Sequence, residues 1–394
     1  VLSLPAGIAT FGNAPSAVLP AAALIAIIGG ISGYCFSLIG RVCSYTGAKS
    51  YREAWAESIG PKTSWIAAGT CTFKTAMANL CYSMILADTF KALLATAGYT
   101  VSRSNTLFGI TGIVLLPLCL MKNLSSLAPF SLLGIIGMVF TAGAMGVRLL
   151  SGAYKTPGGK FLPELAANLQ PSFGTNGAAA VFNPSSFILI CMLSTAYMSH
   201  FNAPKFYLEL KDNTIKRYNT VVGTSFAVSI SIFIAVAALG FLTFGANSNG
   251  LILNNYANTD MLMSASRIAV AISIVFSYPL AFVGLRDGLL DLANKPLEER
   301  SNDLLNKLTV GILAVITAAA LKVKDLSFVL AFSGATLGNA LIYMYPVFMF
   351  RAAVAKMGDQ ATKGLKSEAK ASLFVAALGV VMGGIGAKMA LSML

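Results

Sequence analysis

The sequence predicts an all-α membrane protein built as a bundle of crossing helices, and three observations carry that prediction. The 394 residues are 56% hydrophobic and only 11% charged, with mean hydropathy +0.74; soluble domains carry nearer 25% charged residues. Apolar stretches long enough for a bilayer core of about 30 Å recur along the whole chain, with the charges gathered in the links between them. One of these stretches, Asn183 to Leu210, starts as a membrane helix and then turns polar at mid-depth.

Taken in order, Val1–Asn13 is a half-length apolar piece containing Pro5 and Gly7, too short to cross a bilayer and expected to begin inside a helix. The second segment, about Pro15–Cys43, carries Gly29, Gly30 and Gly33, which allow close helix packing. The link AKSYREAWAESIGPK reads as a short interfacial amphipathic helix stopped at Gly60-Pro61. The third segment, about Thr63–Leu94, is the longest and must tilt. The fourth (about Asn105–Leu120) and fifth (about Leu127–Leu150) are joined by the polar turn Lys122-Asn123, and Ser151–Val181 is a long polar loop. The sixth is the Asn183–Leu210 stretch, the seventh about Thr220–Phe244, the eighth about Met261–Leu289. The charged link Asp291–Lys307 leads to the ninth, about Leu308–Leu321; the tenth runs about Leu326–Phe350 with Gly334 and Gly338 inside. A basic link, Arg351–Lys370, precedes the last, about Ala371–Leu391.

Charge placement orients these segments. Of the 28 Lys and Arg, eighteen lie in the links after even-numbered segments and seven on the opposite side, with Lys74, Arg267 and Lys388 inside segments. The positive-inside rule puts the larger set in the cytosol and the Ser151–Val181 loop outside or in a lumen. The same rule accounts for the net charge of +13 without nucleic acid. Eleven segments divide at the long loop into five, then five plus one. Five is odd, so the halves run in opposite orientation, the inverted-repeat arrangement of many secondary transporters. The repeats span 1–150 and 183–350, with an extra helix at 371–391, in a single transmembrane domain.

The sixth segment is the informative one. Pro184 suits a first helical turn, and Phe187 to Leu193 is apolar. Then Ser194, Thr195, Tyr197, Ser199, His200 and Asn202 follow within nine residues, closed by Pro204. At about 1.5 Å per residue, Ser194 falls roughly 15 Å below Pro184, near the bilayer centre. Irregular backbone at that depth survives only where it is buried in protein or lines a cavity. A discontinuous transporter helix has this pattern; the plainer alternative is a helix that ends early, its serines bonded back to their own carbonyls and His200 satisfied at the interface. The six cysteines lie in or beside apolar segments without C-x-x-C pairs, and one histidine leaves no basis for hydrolytic triads or His-ligated metals.

Several blocks resemble the amino acid/auxin permease family, in particular its neutral amino-acid and vesicular amino-acid transporter branch. Val1-Leu2-Ser3-Leu4-Pro5-Ala6 is similar to the family's I-L-x-L-P-x-A, and SHFNAPKFYLEL at 199–210 to its H-x-x-x-P-x-x-Y-x-E-L block. PLCLMKNLSSLAPFSLLGI at 117–135 resembles its P-L-x-x-x-K-N-L-x-x-L…S block, and GFLTFG at 240–245 with Tyr278-Pro279 and Arg286 its segment 7–8 pattern. The resemblance covers most of the chain in the expected order. It implies a leucine-transporter-like five-plus-five inverted repeat with an eleventh helix, segments 1 and 6 discontinuous around a central site. The family's Gly-Ser-Gly turn would sit just before Val1, so the chain is expected to be N-terminally truncated, lacking half of segment 1.

That resemblance assigns candidate residues. Backbone N–H groups at Val1, Leu2 and Ser3 would receive a substrate carboxylate. The carbonyls around Ser194, Thr195 and Tyr197 would receive the ammonium, so no buried carboxylate is required. Asn79 and Ser83, four apart on one helical face with Tyr82 beside them, would form a wall of the site; the alternative is interhelical bonding that holds the bundle. Ser273 and Ser277 on segment 8 supply hydroxyls for a sodium ion, or else bond back within their helix. Lys74 would cost a few kcal/mol facing lipid, so it either snorkels to the cytosol or carries a coupling proton in place of an ion. His200 and Asn202, at the inner end of the break, are candidates for a gate. The expected function is a symporter of neutral or small amino acids working by alternating access, coupled to Na+ or H+, without catalytic residues, bound metal or cofactor. Its place is the plasma membrane or a vacuole/lysosome-type membrane. The alternative is a membrane sensor that binds amino acids and moves few.

Overall fold

A computed structural model describes residues 1–121, 130–295 and 299–393. Among the described residues the regular structure is helical, without β-strands. Eight helical stretches are long and apolar enough by length and composition to cross a membrane: Pro15–Thr46, Arg103–Leu120, Leu132–Leu150, Ile215–Phe244, Met261–Leu292, Asn302–Lys322, Leu326–Lys356 and Lys363–Leu391. The protein is a multi-pass integral membrane protein. The remaining three expected segments are α1 (Leu4–Ala9), α4 (Ser64–Thr96) and the pair α8 (Ser186–Ala196) and α9 (Ala203–Glu209). Two of these are short, and α4 is 33 residues of mixed polarity.

The helices group into two compact units, each assembled from pieces distant in sequence. The first unit comprises Val1–Ala22, Thr75–Ser186 and Ile232–Val329. It contains α1, most of α4, α5 (Arg103–Ile110) and α6 (Leu116–Leu120), α7 (Phe130–Leu150), part of α10 (Ile215–Phe244), α11 (Met261–Leu292) and α12 (Asn302–Lys322). A wide π-helical turn, Thr111–Leu115, joins α5 to α6. The described part of the fifth segment is α7 from Phe130 on; its expected start at about Leu127 and the Lys122-Asn123 turn lie outside the described residues. Close approach of α7 to α11 rests on small residues: a side chain at Gly137 would meet Ala269, and one at Gly134 would meet the Ser273 hydroxyl 2.6 Å away.

The long loop Ser151–Val181 belongs to this unit and is anchored to it. Asn13 and Ala14 donate their N–H to the Asn176 carbonyl, and Ser172 exchanges backbone bonds with Phe244 and Ala246. Gly245 sits there at φ 58, where a Cβ would overlap the Ser172 carbonyl; only glycine meets both demands. Tyr154, Phe161, Phe244 and Tyr256 stack around it, with centroids 4.9 to 5.5 Å apart. Beneath them Asp260 caps α11 and is fully buried. Its carboxylate accepts two bonds from Arg148 at 2.7 and 2.8 Å, one from the Tyr154 hydroxyl at 2.9 Å, and the N–H groups of Leu262 and Met263. Burial, with Asp260 adding to it, pushes the Tyr154 phenol well above its ordinary range, so the hydroxyl stays a donor. Arg267 is buried in the same place, its terminal nitrogens donating to the carbonyls of Leu253, Tyr256 and Ala257.

The second unit comprises Ala23–Lys74, Phe187–Ser231 and Leu330–Leu394. It holds most of α2 (Val18–Thr46), α3 (Tyr51–Ser58), the start of α4, α8, α9, the first half of α10, α13 (Leu326–Ser333) from Leu330 on, α14 (Tyr345–Lys356), α15 (Lys363–Ala371) and α16 (Leu373–Leu391). The α3 helix forms where the link predicts it: Ser50 accepts from the Glu53 N–H, and Gly60 at φ 149 ends it. It is not merely interfacial. Tyr51, Ala54 and Trp55 are buried, with the Trp55 ring edge-on to Tyr345 at 4.9 Å and the Tyr51 hydroxyl bonded to the Leu341 carbonyl. Arg41 lies over the Phe350 ring and grips Glu368 with two bonds of 2.6 and 2.7 Å.

Two boundaries differ from expectation for one physical reason. The seventh and ninth segments start at Ile215 and Asn302, five and six residues earlier than their apolar stretches suggest. Ser301 caps the Leu304 N–H and Asp303 pairs with Lys307 at 2.7 Å one turn on. Charged residues are good helix formers, so a helix continues past the lipid boundary.

Candidate functional site

The sixth segment is broken where its polar residues gather. The α8 helix stops at Ala196, residues 197–199 leave helical geometry, and a short 3-10 turn at His200–Asn202 leads into α9. Pro204 at the start of α9 removes one donor that would otherwise need a partner. The Tyr197 N–H still reaches Leu193 and the Met198 N–H reaches Thr195 at 3.4 Å. Among the described residues the carbonyls of Ser194 and Ala196 receive no N–H. Among the described residues two carbonyls at this break thus take no backbone N–H.

The side chains around the break are held by their own unit. Ser194 is fully buried and bonds back to the Ile190 carbonyl at 3.1 Å, with the Tyr343 hydroxyl 3.4 Å away; Tyr343 in turn lies 3.2 Å from Ser32. Thr195 donates to the Leu330 carbonyl at 2.8 Å, and the Tyr197 hydroxyl to the Ile25 carbonyl at 3.0 Å. The back-bonding weighed as the plainer alternative is thus present at Ser194, and the helix breaks nonetheless. His200 is fully buried, its Nε2 3.0 Å from the Ser32 carbonyl and its ring edge-on to Phe36. A carbonyl can only accept, so Nε2 carries the proton, and Nδ1 is left an acceptor without a partner among the described residues. Asn202 is half-buried and makes no side-chain cap to α9.

In the other unit, the first residues precede a short helix. Leu2 and Ser3 are buried; the Leu2 carbonyl accepts from Ile252, and those of Val1 and Ser3 accept from Leu4 and Gly7. Among the described residues the N–H groups of Leu2 and Ser3 meet no acceptor. The same unit holds Asn79, Tyr82 and Ser83. Ser83 shares a hydrogen bond of 3.0 Å with the Tyr278 hydroxyl, and the Tyr82 ring lies 6.4 Å from that of Tyr278. Asn79 is fully buried and donates to the Thr75 carbonyl, while its Oδ1 has no partner among the described residues. Ser273 and Ser277 are half-buried on α11, and among the described residues neither hydroxyl is bonded back to its helix.

Lys74 does not snorkel. It is 3% exposed and its ammonium donates to the Ser333 carbonyl at 2.7 Å and to the Ser333 hydroxyl. Sequence reasoning missed the partner because it lies 259 residues away. It also missed the shape of the tenth segment, which passes through two π-helical turns, Gly334–Gly338 and Ala340–Met344. The glycines at 334 and 338 were the available signal. A side chain at Gly334 would overlap the Cys191 carbonyl of α8.

A many-spanning helical protein with a polar break between two short helices is compatible with a transporter. The sequence profile of the transmembrane amino acid transporter protein family matches residues 1–391, and the chain belongs to that family. Its members are transporters, not enzymes. The chain is 24% identical over 342 residues to the sodium-coupled neutral amino acid transporter 11 of Danio rerio, covering 83% of this chain and 70% of that protein. It is 24% identical over 409 residues to amino acid transporter AVT6E of Arabidopsis thaliana, covering 98% and 78%.

Proposed function

We propose that the protein is a secondary active symporter of neutral or small amino acids working by alternating access. The observation that carries this reading is the break after Ala196, where the open carbonyls of Ser194 and Ala196 offer acceptors to an ammonium group. An ammonium can be held by carbonyl and hydroxyl oxygens alone, so a neutral zwitterion needs no buried acid here. The substrate carboxylate is assigned to the N–H groups at Leu2 and Ser3, with Val1 and the Thr195 and Tyr197 region completing the recognition. Asn79, whose Oδ1 is a buried open acceptor, together with Tyr82 and Ser83 supplies further polar contacts. His200 and Asn202, at the foot of the break, are assigned to gating. The inverted repeat, 1–150 and 183–350, is the frame for this cycle.

Sodium is the coupling ion we assign, at Ser273 and Ser277. Their hydroxyls are not spent on their own helix, and oxygen ligands suit a hard cation. A relative named as sodium-coupled supports the same choice. The test is uptake of labelled neutral amino acids into proteoliposomes under an imposed sodium gradient, a pH gradient, or neither. Uptake driven by inward sodium is the expected result. Uptake driven only by the pH gradient moves the coupling to protons, and binding without flux under every gradient removes the transporter reading.

A further inference from the structure

The tenth segment bends within the membrane, and two buried polar side chains treat the bend in opposite ways. At Thr336 the backbone leaves the helical region, with φ −84 and ψ −114, between Ser333 and the second π-helical turn. Successive π-turns are uncommon and cluster at functional sites. On one side of the bend, the Lys74 ammonium holds both oxygens of Ser333, and a side chain at Gly338 would come within 3.1 Å of that ammonium. The lysine therefore grips the bent form. On the other side, Asn339 stands between the two π-turns and is fully buried. Among the described residues neither its Oδ1 nor its Nδ2 meets an oxygen or nitrogen partner, and the one side chain within reach is a thiol. Beside it lies the Cys191 thiol, a weak partner directed toward the Met382 carbonyl at 3.7 Å.

A buried carboxamide so weakly partnered is costly, and each such group in a folded protein calls for an explanation. We propose that the tenth segment is a two-position hinge: Lys74 on Ser333 holds the bent position, and Asn339 is left here with no partner stronger than the Cys191 thiol because it makes its full hydrogen bonds in the other. This rests on the alternating-access reading for its purpose, but not for its structural content. A group whose bonds form in only one of two states shifts the balance toward that state by its differential interaction. Lys74 and Asn339 thus pull the hinge in opposite directions, both as positioning residues.

The opposition gives the test. Lys74→Met and Asn339→Leu are made in the whole protein, and amide hydrogen exchange over 334–344, melting temperature and amino-acid uptake are read on each. Lys74→Met is expected to speed exchange across 334–344 about tenfold or more and lower the melting temperature. Asn339→Leu is expected to slow exchange there and raise the melting temperature by roughly 2 °C or more, because a weakly partnered amide gives way to an apolar group of similar size. Both variants lose uptake, about tenfold or more, each trapped away from one position. A fall in melting temperature for Asn339→Leu, as expected if a buried water satisfies the amide, overturns the proposal. So does a shift of exchange in the same direction for both variants. If the unaltered protein shows no uptake while the opposite exchange shifts persist, the transport reading fails and the hinge stands.

Discussion

The polar cap over α11 and the bend of the tenth segment are both buried, polar and built across long sequence separations, yet they use hydrogen bonds differently. In the cap, one carboxylate, Asp260, takes five donors, and Arg267 spends its terminal nitrogens on carbonyls. At the bend, Asn339 has no partner stronger than the Cys191 thiol, and in the same unit His200 Nδ1 meets no donor among the described residues. The charged groups of the cap are bonded, although the Tyr256 hydroxyl beside them finds no partner among the described residues; charges so closed in specify one arrangement, and polar groups held back accommodate more than one. The contrast separates the part of the molecule built to stay from the part built to move.

The largest test of that contrast is Asp260→Ala. It strands the Arg148 guanidinium and the Tyr154 hydroxyl and removes the α11 cap. Breaking one partner out of a buried ion pair costs about 3 kcal/mol or more, read as loss of thermal stability. A loss below about 1 kcal/mol would mean the cap is dispensable and the comparison fails. Next is Gly245→Ala, which puts a Cβ against the Ser172 carbonyl at φ 58. Strain of this kind costs roughly 1–3 kcal/mol. Limited proteolysis of the 151–181 loop checks it, with faster cleavage expected as the loop loses its tie.

The sequence made the break of the sixth segment visible, because six polar side chains before a proline have no place on a lipid-facing helix. The α3 helix was visible for a related reason: Ser50, Glu53 and Gly60-Pro61 are local start and stop signals. Apolar stretches marked the spans but not the helix ends, since hydropathy reports lipid contact and the helix at Asn302 continues into water. The bend of the tenth segment left only Gly334 and Gly338 as a trace in the sequence, too little to place it. Its cause is tertiary: the Cys191 carbonyl pressing on Gly334 and Lys74 reaching Ser333, neither encoded by a local pattern. Lys74 itself stood out as a charge inside a span, but burial against a distant serine and snorkelling read alike until the partner is known. Tyr278, which engages Ser83, looked like part of a Tyr-Pro motif only.

A smaller effect is expected where α4 meets α11. Ser83 and Tyr278 share one hydrogen bond of 3.0 Å. Interhelical bonds in membranes average about 0.6 kcal/mol by double-mutant cycle. Ser83→Ala, Tyr278→Phe and the pair together should give a coupling energy of that size. Near-zero coupling with a large loss of substrate affinity for Ser83→Ala alone would instead place the serine on the substrate.

The smallest effect on stability is expected at Ser273 and Ser277, and there the comparison is sharpest. Their hydroxyls make no back-bond to their own helix, so removing either leaves no stranded partner. Stability should stay within about 0.5 kcal/mol of the unaltered protein. If these hydroxyls ligate sodium, the sodium concentration for half-maximal uptake should rise about tenfold for each alanine, as expected for losing about 1.4 kcal/mol of ion binding. The two readouts must part company. A hydroxyl that merely packs α11 against Gly134 would leave sodium dependence alone, and one that braces the helix would lower stability and uptake together. Only a group held in reserve for an ion changes the ion's half-saturation while the fold is untouched.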